Sequence, residues 1–136
     1  MRIKLDPGAY APKRAHETDA GYDIYSRETK CVPAHGSAVY DTGVHIELPE
    51  GTWLNLKSRS GLNVKHGITG EGVIDESYRG AICVKLYNHT DHDFWVEGGD
   101  RIIQGIITPY VAEEIEIVDE LDETDRGSGG FGSTGR

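Results

Sequence analysis

Gly72-Val73-Ile74-Asp75-Glu76-Ser77-Tyr78-Arg79-Gly80 is the stretch on which the reading of the fold turns. An apolar run ends there in a carboxylate, and a tyrosine and an arginine follow closely. Glycines bracket the stretch, as they do at a tight β-hairpin tip. A tip held by two strands fixes side chains more firmly than a free loop. Asp75, Tyr78 and Arg79 would then stand together as a carboxylate, an aromatic plate and a cation at a strand end. Taken alone, the same residues also fit a surface turn whose polar groups face water.

On the C-terminal side, Ile82, Val84 and Leu86 share one face of a strand, against Ala81, Cys83, Lys85 and Tyr87 on the other. On the N-terminal side, Val44, Ile46 and Leu48 alternate with His45 and Glu47. Pro49-Glu50-Gly51 then leads into the alternating Thr52–Lys57, and the pattern predicts a hairpin. Between this pair and the central stretch, Ser60 reads as an N-cap and Gly61 to His66 as one or two helical turns stopped by Gly67. With Arg59 in front, that helix start is either an anion site or an ordinary capped turn.

Further out, Tyr22, Ile24 and Ser26 lie on one face of a strand and Asp23 and Tyr25 on the other. Asp23 is either an exposed edge residue or a buried carboxylate in need of a partner or a metal. Phe94-Trp95-Val96 is a short strand, Gly98-Gly99 a turn, and Asp100 to Ile107 a mostly buried strand. Its one polar interior residue, Gln104, either ties down backbone or points to a ligand. Ile115 and Ile117 alternate with Glu114 and Glu116 in a last strand. Short strands, one helical turn and frequent glycine turns predict an all-β fold, an antiparallel distorted β-barrel or jelly roll.

The 136 residues suffice for one domain with a real core. Lys and Arg number 14 against 23 Asp and Glu, a formal charge of −9 that repels a phosphate backbone and argues against nucleic-acid binding. A small polyanion remains bindable where a few arginines converge. The two cysteines, Cys31 and Cys83, form no Cys-x-x-Cys pair and predict reduced, packed thiols. His89-x-x-His92 lacks a third ligand at metal spacing, and Asn88-His89-Thr90 is read as a chance sequon. The N-terminus has no signal-peptide core and no apolar run reaches spanning length, so the expectation is a soluble, cytoplasmic protein without membrane partners.

Residues 1–118 read as the β-barrel core, and 119–136 as an acidic linker with a flexible glycine-rich tail. From Gly127 to Thr134 the tail approaches P-loop spacing, but Ser133 stands where the lysine belongs. Its glycines still allow consecutive backbone N–H groups to wrap an anion. With no Ser–His or Cys–His pairing apparent, these parts suit a ligand with polyphosphate, sugar and base, and water attack assisted by a carboxylate and a metal.

Five segments in order carry a resemblance: Ala20–Ser26, Ser58–Leu62, Gly72–Gly80, Gly99–Gln104 and Arg126–Gly135. Together they are similar to the five motifs of the trimeric dUTPases. The resemblance implies a jelly-roll subunit, a homotrimer with shared active sites, dUTP as substrate and Mg²⁺ as cofactor. It assigns uracil to the backbone of Gly72, Val73, Ile74 and Asp75 and to Cys83 opposite, the sugar to Tyr78, and the attacking water to Asp75. Arg59, Ser60, Gly61 and Gln104 would grip phosphates, and Asp23 would hold Mg²⁺ through water. The tail would close from another subunit, with Phe131 over the base and Arg126, Gly132, Ser133 and Thr134 on the γ-phosphate. The sequence departs from the family pattern at Lys57-Ser58, where a proline is common. It also has no clear counterpart to an asparagine that some members place near uracil; Thr69 and Glu71 stand in that region. The related dCTP deaminases share the fold, but the Asp75-x-x-Tyr78 pair and the Phe131 tail favour dUTPase. A dUTPase-like regulatory binding protein is the reading from a different class. Zinc deaminases are excluded by the missing His-x-Glu and Cys-x-x-Cys ligands.

Overall fold

A computed structural model describes residues 1–135; Arg136, the last residue of the expected tail, lies outside the described residues. Ten strands and one short helix follow in order: β1 (Arg2–Leu5), β2 (Gly21–Tyr25), β3 (Lys30–Val32), β4 (Ser37–Asp41), β5 (Val44–Glu47), β6 (Thr52–Lys57), α1 (Ser60–His66), β7 (Ile68–Ile74), β8 (Cys83–Asn88), β9 (Phe94–Val96) and β10 (Arg101–Pro109). The main sheet has the order β2-β10-β6-β7-β8-β4, and β1-β5 and β3-β9 form two small sheets. All pairings are antiparallel, so the chain has the expected all-β, jelly-roll architecture. No helix among the described residues is long and apolar enough to cross a membrane.

The alternation read from the sequence is the burial observed. Val84 and Leu86 of β8 are buried, as is Ile82 just before it, while Cys83, Lys85 and Tyr87 are exposed. Leu54 and Leu56 bring β6 into the same core. Leu56 stands in register with Gly105 of β10 on one side and Gly72 of β7 on the other. A Cβ on Gly72 would press on Leu56 and one on Gly105 on Leu54, so the glycines make the room these leucines fill. Asn88 is buried and donates its amide to the carbonyls of Val32 (3.0 Å) and His92 (2.8 Å), a structural role that agrees with the chance-sequon reading.

Four expectations are corrected. Val44–Leu48 and Thr52–Lys57 do not form a hairpin, because β5 pairs with β1 and β6 with β10 and β7. The Pro49-Glu50-Gly51 turn therefore carries the chain from one sheet to another. Residues 110–118 form no strand, and Ile115 and Ile117 are 92% and 94% exposed, since alternation makes a strand only where a neighbour supplies the other half of each hydrogen bond. Cys83 is exposed and only Cys31 partly covered; both thiols are free, and burial raises both pKa values.

The fourth correction concerns the central stretch. β7 and β8 pair only through Ile68↔Asn88, Thr69↔Tyr87 and Gly70↔Leu86. Beyond Gly70, β7 continues along β6 from Lys57↔Glu71 to Leu54↔Ile74. β8 continues along β4 from Ser37↔Tyr87 to Asp41↔Cys83. The expected tight tip is thus a hairpin that is paired at its base and parted toward its turn.

Leu56→Ala should cost toward the upper part of the ~2–5 kcal/mol range for buried leucines, because the flanking glycines carry no side chain to relax into the hole. Chemical denaturation of the two proteins under one condition measures this.

Candidate active site

Two clefts hold most of the residues singled out in the sequence. The first lies where β7 and β8 part, a cavity of about 180 Å³ lined by Val73, Ile74, Asp75, Tyr78 and Cys83. Its walls are the inner edges of the two strands, which lack ladder partners there because each strand has turned to its outer neighbour. Asp75 follows directly on β7 and is exposed at the lip. Tyr78 N–H donates to the Asp75 carbonyl at 3.1 Å and closes the turn. The Tyr78 ring folds back so that its hydroxyl donates to the Ala81 carbonyl at 3.2 Å. A Cβ on Gly80 would collide with that ring, so only glycine permits the fold-back.

The second cleft, about 350 Å³, collects His16, Asp19, Asp23, Arg59, Ser60, Arg101 and Gln104 among its lining residues. Asp23 and Gln104 are register partners on β2 and β10, and Gln104 faces Lys57 of β6. The row places the residues just past β6, Ser58 to Ser60, beside both. Asp23 is neither an exposed edge residue nor an orphan. Its Oδ1 accepts from Arg59 Nε at 2.8 Å, and its Oδ2 from Arg101 Nη1 at 3.3 Å. Gln104 takes both of its open readings, because Nε2 donates to the Ser58 carbonyl at 3.0 Å while the side chain also lines the cleft. A Cβ on Gly21 would collide with Gln104 Oε1, so the β2 glycine lets the amide reach this position.

The helix start differs by one residue from its expected form. Ser60 is already helical, Arg59 is the N-cap with extended backbone, and no side chain caps the helix. The Arg59 guanidinium is turned to Asp23 instead, and Ser60 faces the cleft. Ser58 holds the junction, its hydroxyl donating to the Gly70 carbonyl and accepting from Gly70 N–H, both at 2.9 Å.

Arg101 falls within the Gly99–Gln104 segment, but no role for it follows from the sequence. A register shift between Arg101 and Ile103 re-aims the start of β10 and turns the arginine onto Asp23. Arg101 stands three residues before Gln104, but nothing local in sequence announces the bulge. The two clefts share no lining residue. Arg126 donates to the Gly129 carbonyl at 2.8 Å within the tail, Phe131 is fully exposed, and Gly132, Ser133 and Thr134 are exposed with it.

With this geometry in view, comparison with known proteins decides the family. The dUTPase family model matches residues 8–135. The chain belongs to the dUTPase family. A deoxyuridine 5'-triphosphate nucleotidohydrolase of Yarrowia lipolytica is 47% identical over 134 residues, covering 96% of this chain and 85% of its own length. The dUTPase of Staphylococcus bacteriophage 80alpha, in a structure with dUPNHPP, superposes with a TM-score of 0.93 at 33% identity, covering 99% of this chain and 98% of that one. A variant of the dUTPase from phage phi11 of S. aureus, whose structure details the coordination of a structural Mg(II) ion, gives 0.82 at 28% identity over 88% of this chain and 96% of that one.

The far end of the Asp75–Gly80 turn is fastened by His45. Its Nδ1 lies 2.7 Å from the Arg79 carbonyl and therefore carries the donated proton. Nε2 is buried 3.2 Å from Asp6 Oδ1, an ion pair when the imidazole is protonated. The Arg79 carbonyl and then Asp6 raise the imidazole pKa above its ordinary 6.5, with desolvation and Lys4 opposing. A raised folded-state pKa contributes stability that is complete below the unfolded value and lost as pH rises through the folded one. Raising the pH from about 6 to about 8 should therefore lower the denaturation midpoint through His45, and His45→Gln should reduce that slope. Equal slopes for the two proteins would remove His45 as the cause.

Proposed function

We infer that the chain hydrolyses dUTP to dUMP and pyrophosphate, removing dUTP from the nucleotide pool and supplying dUMP for dTMP synthesis. The observation that carries this reading is the parted hairpin with Asp75 at its lip. A flat base entering between β7 and β8 meets backbone N–H and C=O groups of Gly72–Asp75 and of Cys83 that have no ladder partner. Uracil presents the alternating acceptors and donor to match them. Cytosine mismatches those groups and leaves buried polar atoms unpaired, which discriminates strongly. The narrow slot also leaves no room for the methyl of thymine. Tyr78, fixed by its fold-back, packs on the deoxyribose and excludes a 2'-hydroxyl.

Asp75 accepts the proton of the attacking water and touches the 3'-hydroxyl. Attack at the α-phosphorus proceeds in line and expels pyrophosphate. Arg59, Ser60, Gly61 and Gln104 bind the phosphates. Asp23 fits an outer-sphere Mg²⁺ role. A carboxylate has about four lone-pair sites, of which two accept from Arg59 and Arg101, leaving two for metal-bound waters. No group of three metal-ligating side chains occurs among the described residues, which suits an ion held mainly by the triphosphate and water. When bound, Mg²⁺ neutralises triphosphate charge and orients the chain of phosphates.

Geometry also supports a homotrimer with shared sites. Asp75 lies level with Trp53 at the start of β6, since Ile74 pairs with Leu54, whereas Arg59 lies beyond Lys57 at its end. The four steps from Trp53 to Lys57 alone span about 14 Å at ~3.4 Å per residue. Water on Asp75 must stand ~3 Å from the α-phosphorus, and the phosphates that follow extend only a few bonds further. That separation favours a site in which one chain holds the base and the catalytic carboxylate and another chain's Arg59 meets the triphosphate. A second copy supplies the phosphate cleft. The core of residues 1–118 then presents 119–136 as a tether and tail closing over a neighbouring site, with Phe131 on the base and Arg126, Gly132, Ser133 and Thr134 on the γ-phosphate. Two free thiols agree with a reducing cytoplasm.

Pyrophosphate release from dUTP, dCTP, dTTP and UTP with Mg²⁺ tests the reading. The expected outcome is turnover of dUTP alone, reduced by at least ~10²-fold in Asp75→Asn. Ammonia from dCTP would assign the deaminase reaction instead. A chain ending at Asp125 should fold and assemble normally while losing most turnover; undiminished turnover would remove the tail from the site.

A further inference from the structure

The residue after Asp75 is held more tightly than Asp75 itself. Glu76 Oε2 accepts from Gly51 N–H at 2.9 Å and from the Tyr110 hydroxyl at 2.7 Å. Tyr110 N–H donates to the Gly51 carbonyl at 3.1 Å and closes a triangle. Three separate segments meet here: the turn before β6, the end of β10, and the turn that carries Asp75. Glu76 is half-buried, and its two donors hold the carboxylate below its usual pKa while raising that of Tyr110. Its own carbonyl accepts from Arg79 Nη1 at 2.7 Å, which tightens the same turn.

Asp75 has no such support. Among the described residues, no donor hydrogen-bonds or pairs with its carboxylate, although the side chain is exposed at the lip. The turn backbone is therefore what fixes the position from which this carboxylate projects. Asp75 also borders a wider cleft whose other walls are Trp53, Val73, Glu76, Ser77 and Tyr110, so the turn has open space on that side. Without an anchor there, it is free to swing into that space.

We propose that Glu76, clamped by Tyr110 and Gly51, is a positioning residue that holds the Asp75 turn against β6 and so aims the catalytic carboxylate at its water. The inference rests on the dUTP-hydrolysis reading. Glu76 touches neither substrate nor water in this arrangement and acts through Asp75. Misplacing a reacting group by about 1 Å can cost about 10²-fold in rate, so loss of the clamp acts mainly on kcat.

The test compares Glu76→Ala, Glu76→Gln and Tyr110→Phe in the full chain. Glu76→Ala should lower kcat by about ten- to a hundredfold while KM for dUTP stays within about twofold. Tyr110→Phe, which removes one donor from an exposed ring, should lower kcat by about three- to tenfold and fold normally. Glu76→Gln keeps an acceptor oxygen of the same shape and should restore most of the loss. Backbone amide exchange adds a readout independent of turnover. The Tyr78 amide, bonded to the Asp75 carbonyl, should exchange faster in Glu76→Ala than in the unmutated chain. A lowered melting temperature with unchanged kcat per folded molecule and unchanged Tyr78 exchange would make Glu76 merely structural and overturn the proposal. If the unmutated chain turns over no dUTP, the hydrolysis reading falls, and Tyr78 exchange alone still decides whether the clamp holds the turn.

Discussion

After Gly70 and Leu86 the backbones of β7 and β8 cease to pair, and each turns its hydrogen bonds to an outer neighbour, β6 or β4. Leaving a row of amides unpaired is expensive in a core, where each unsatisfied group costs ~1–3 kcal/mol. Here the gap opens at the surface, so water serves those groups until a ligand replaces it. The replacement must be flat and must carry donors and acceptors along one edge. A pyrimidine meets both conditions. The same parting dictates the glycine at position 80, which gives the Tyr78 ring room to fold beside the opening. It also leaves Asp75 at the lip, where a reacting water is accessible.

The second consequence is separation. β6 is the ruler: Asp75 lies level with its first residues and Arg59 lies past its last. The second cleft is built on the other side of that strand, by β2 and β10, with Asp23 held between Arg59 and Arg101. This carboxylate keeps two like charges together in the absence of phosphate. Two guanidinium groups with no anion between them would repel each other, and Asp23 cancels much of that repulsion at the cost of its own freedom. On the proposed reading, the triphosphate would join a cleft whose two arginines are already balanced by Asp19 and Asp23, and would bring its own countercharge as Mg²⁺.

Much of this was legible in the sequence because the responsible signals are local. Period-two alternation found Val84 and Leu86 of β8 and Leu54 and Leu56 of β6, and the buried faces follow it. Gly67 marked the helix stop and adopts the left-handed conformation expected there. What escaped was what depends on partners distant in the chain. Pro49-Glu50-Gly51 reads as a hairpin turn because turn chemistry does not say which strand waits on the far side. Ser60 reads as a cap, yet the helix starts one residue earlier, with Arg59 at the N-cap and its side chain on Asp23, thirty-six residues away. Ile115 and Ile117 alternate like strand residues but find no partner within the chain. The parting of β7 from β8 has the same origin. Gly72–Gly80 shows the bend, while the competing pairings with β6 and β4 reside in other segments.

The division of labour between backbone and side chains explains why the family resemblance was needed to read the base site. Backbone groups carry no side-chain signature, so Val73 and Cys83 line the opening without advertising what enters it. Only the constraints on backbone shape leave a mark in sequence. These are the glycine that frees the tyrosine, the glycines flanking the leucines of β6, and the acidic residue whose clamp fixes the turn. Phosphate recognition would differ, because charge must be supplied by side chains, and Arg59 and Asp23 are visible as candidates in the sequence, though each also has a plain structural reading there. On the dUTP-hydrolysis reading, a site that takes its base with backbone and its phosphates with side chains is half visible in any single sequence, and the fold supplies the other half.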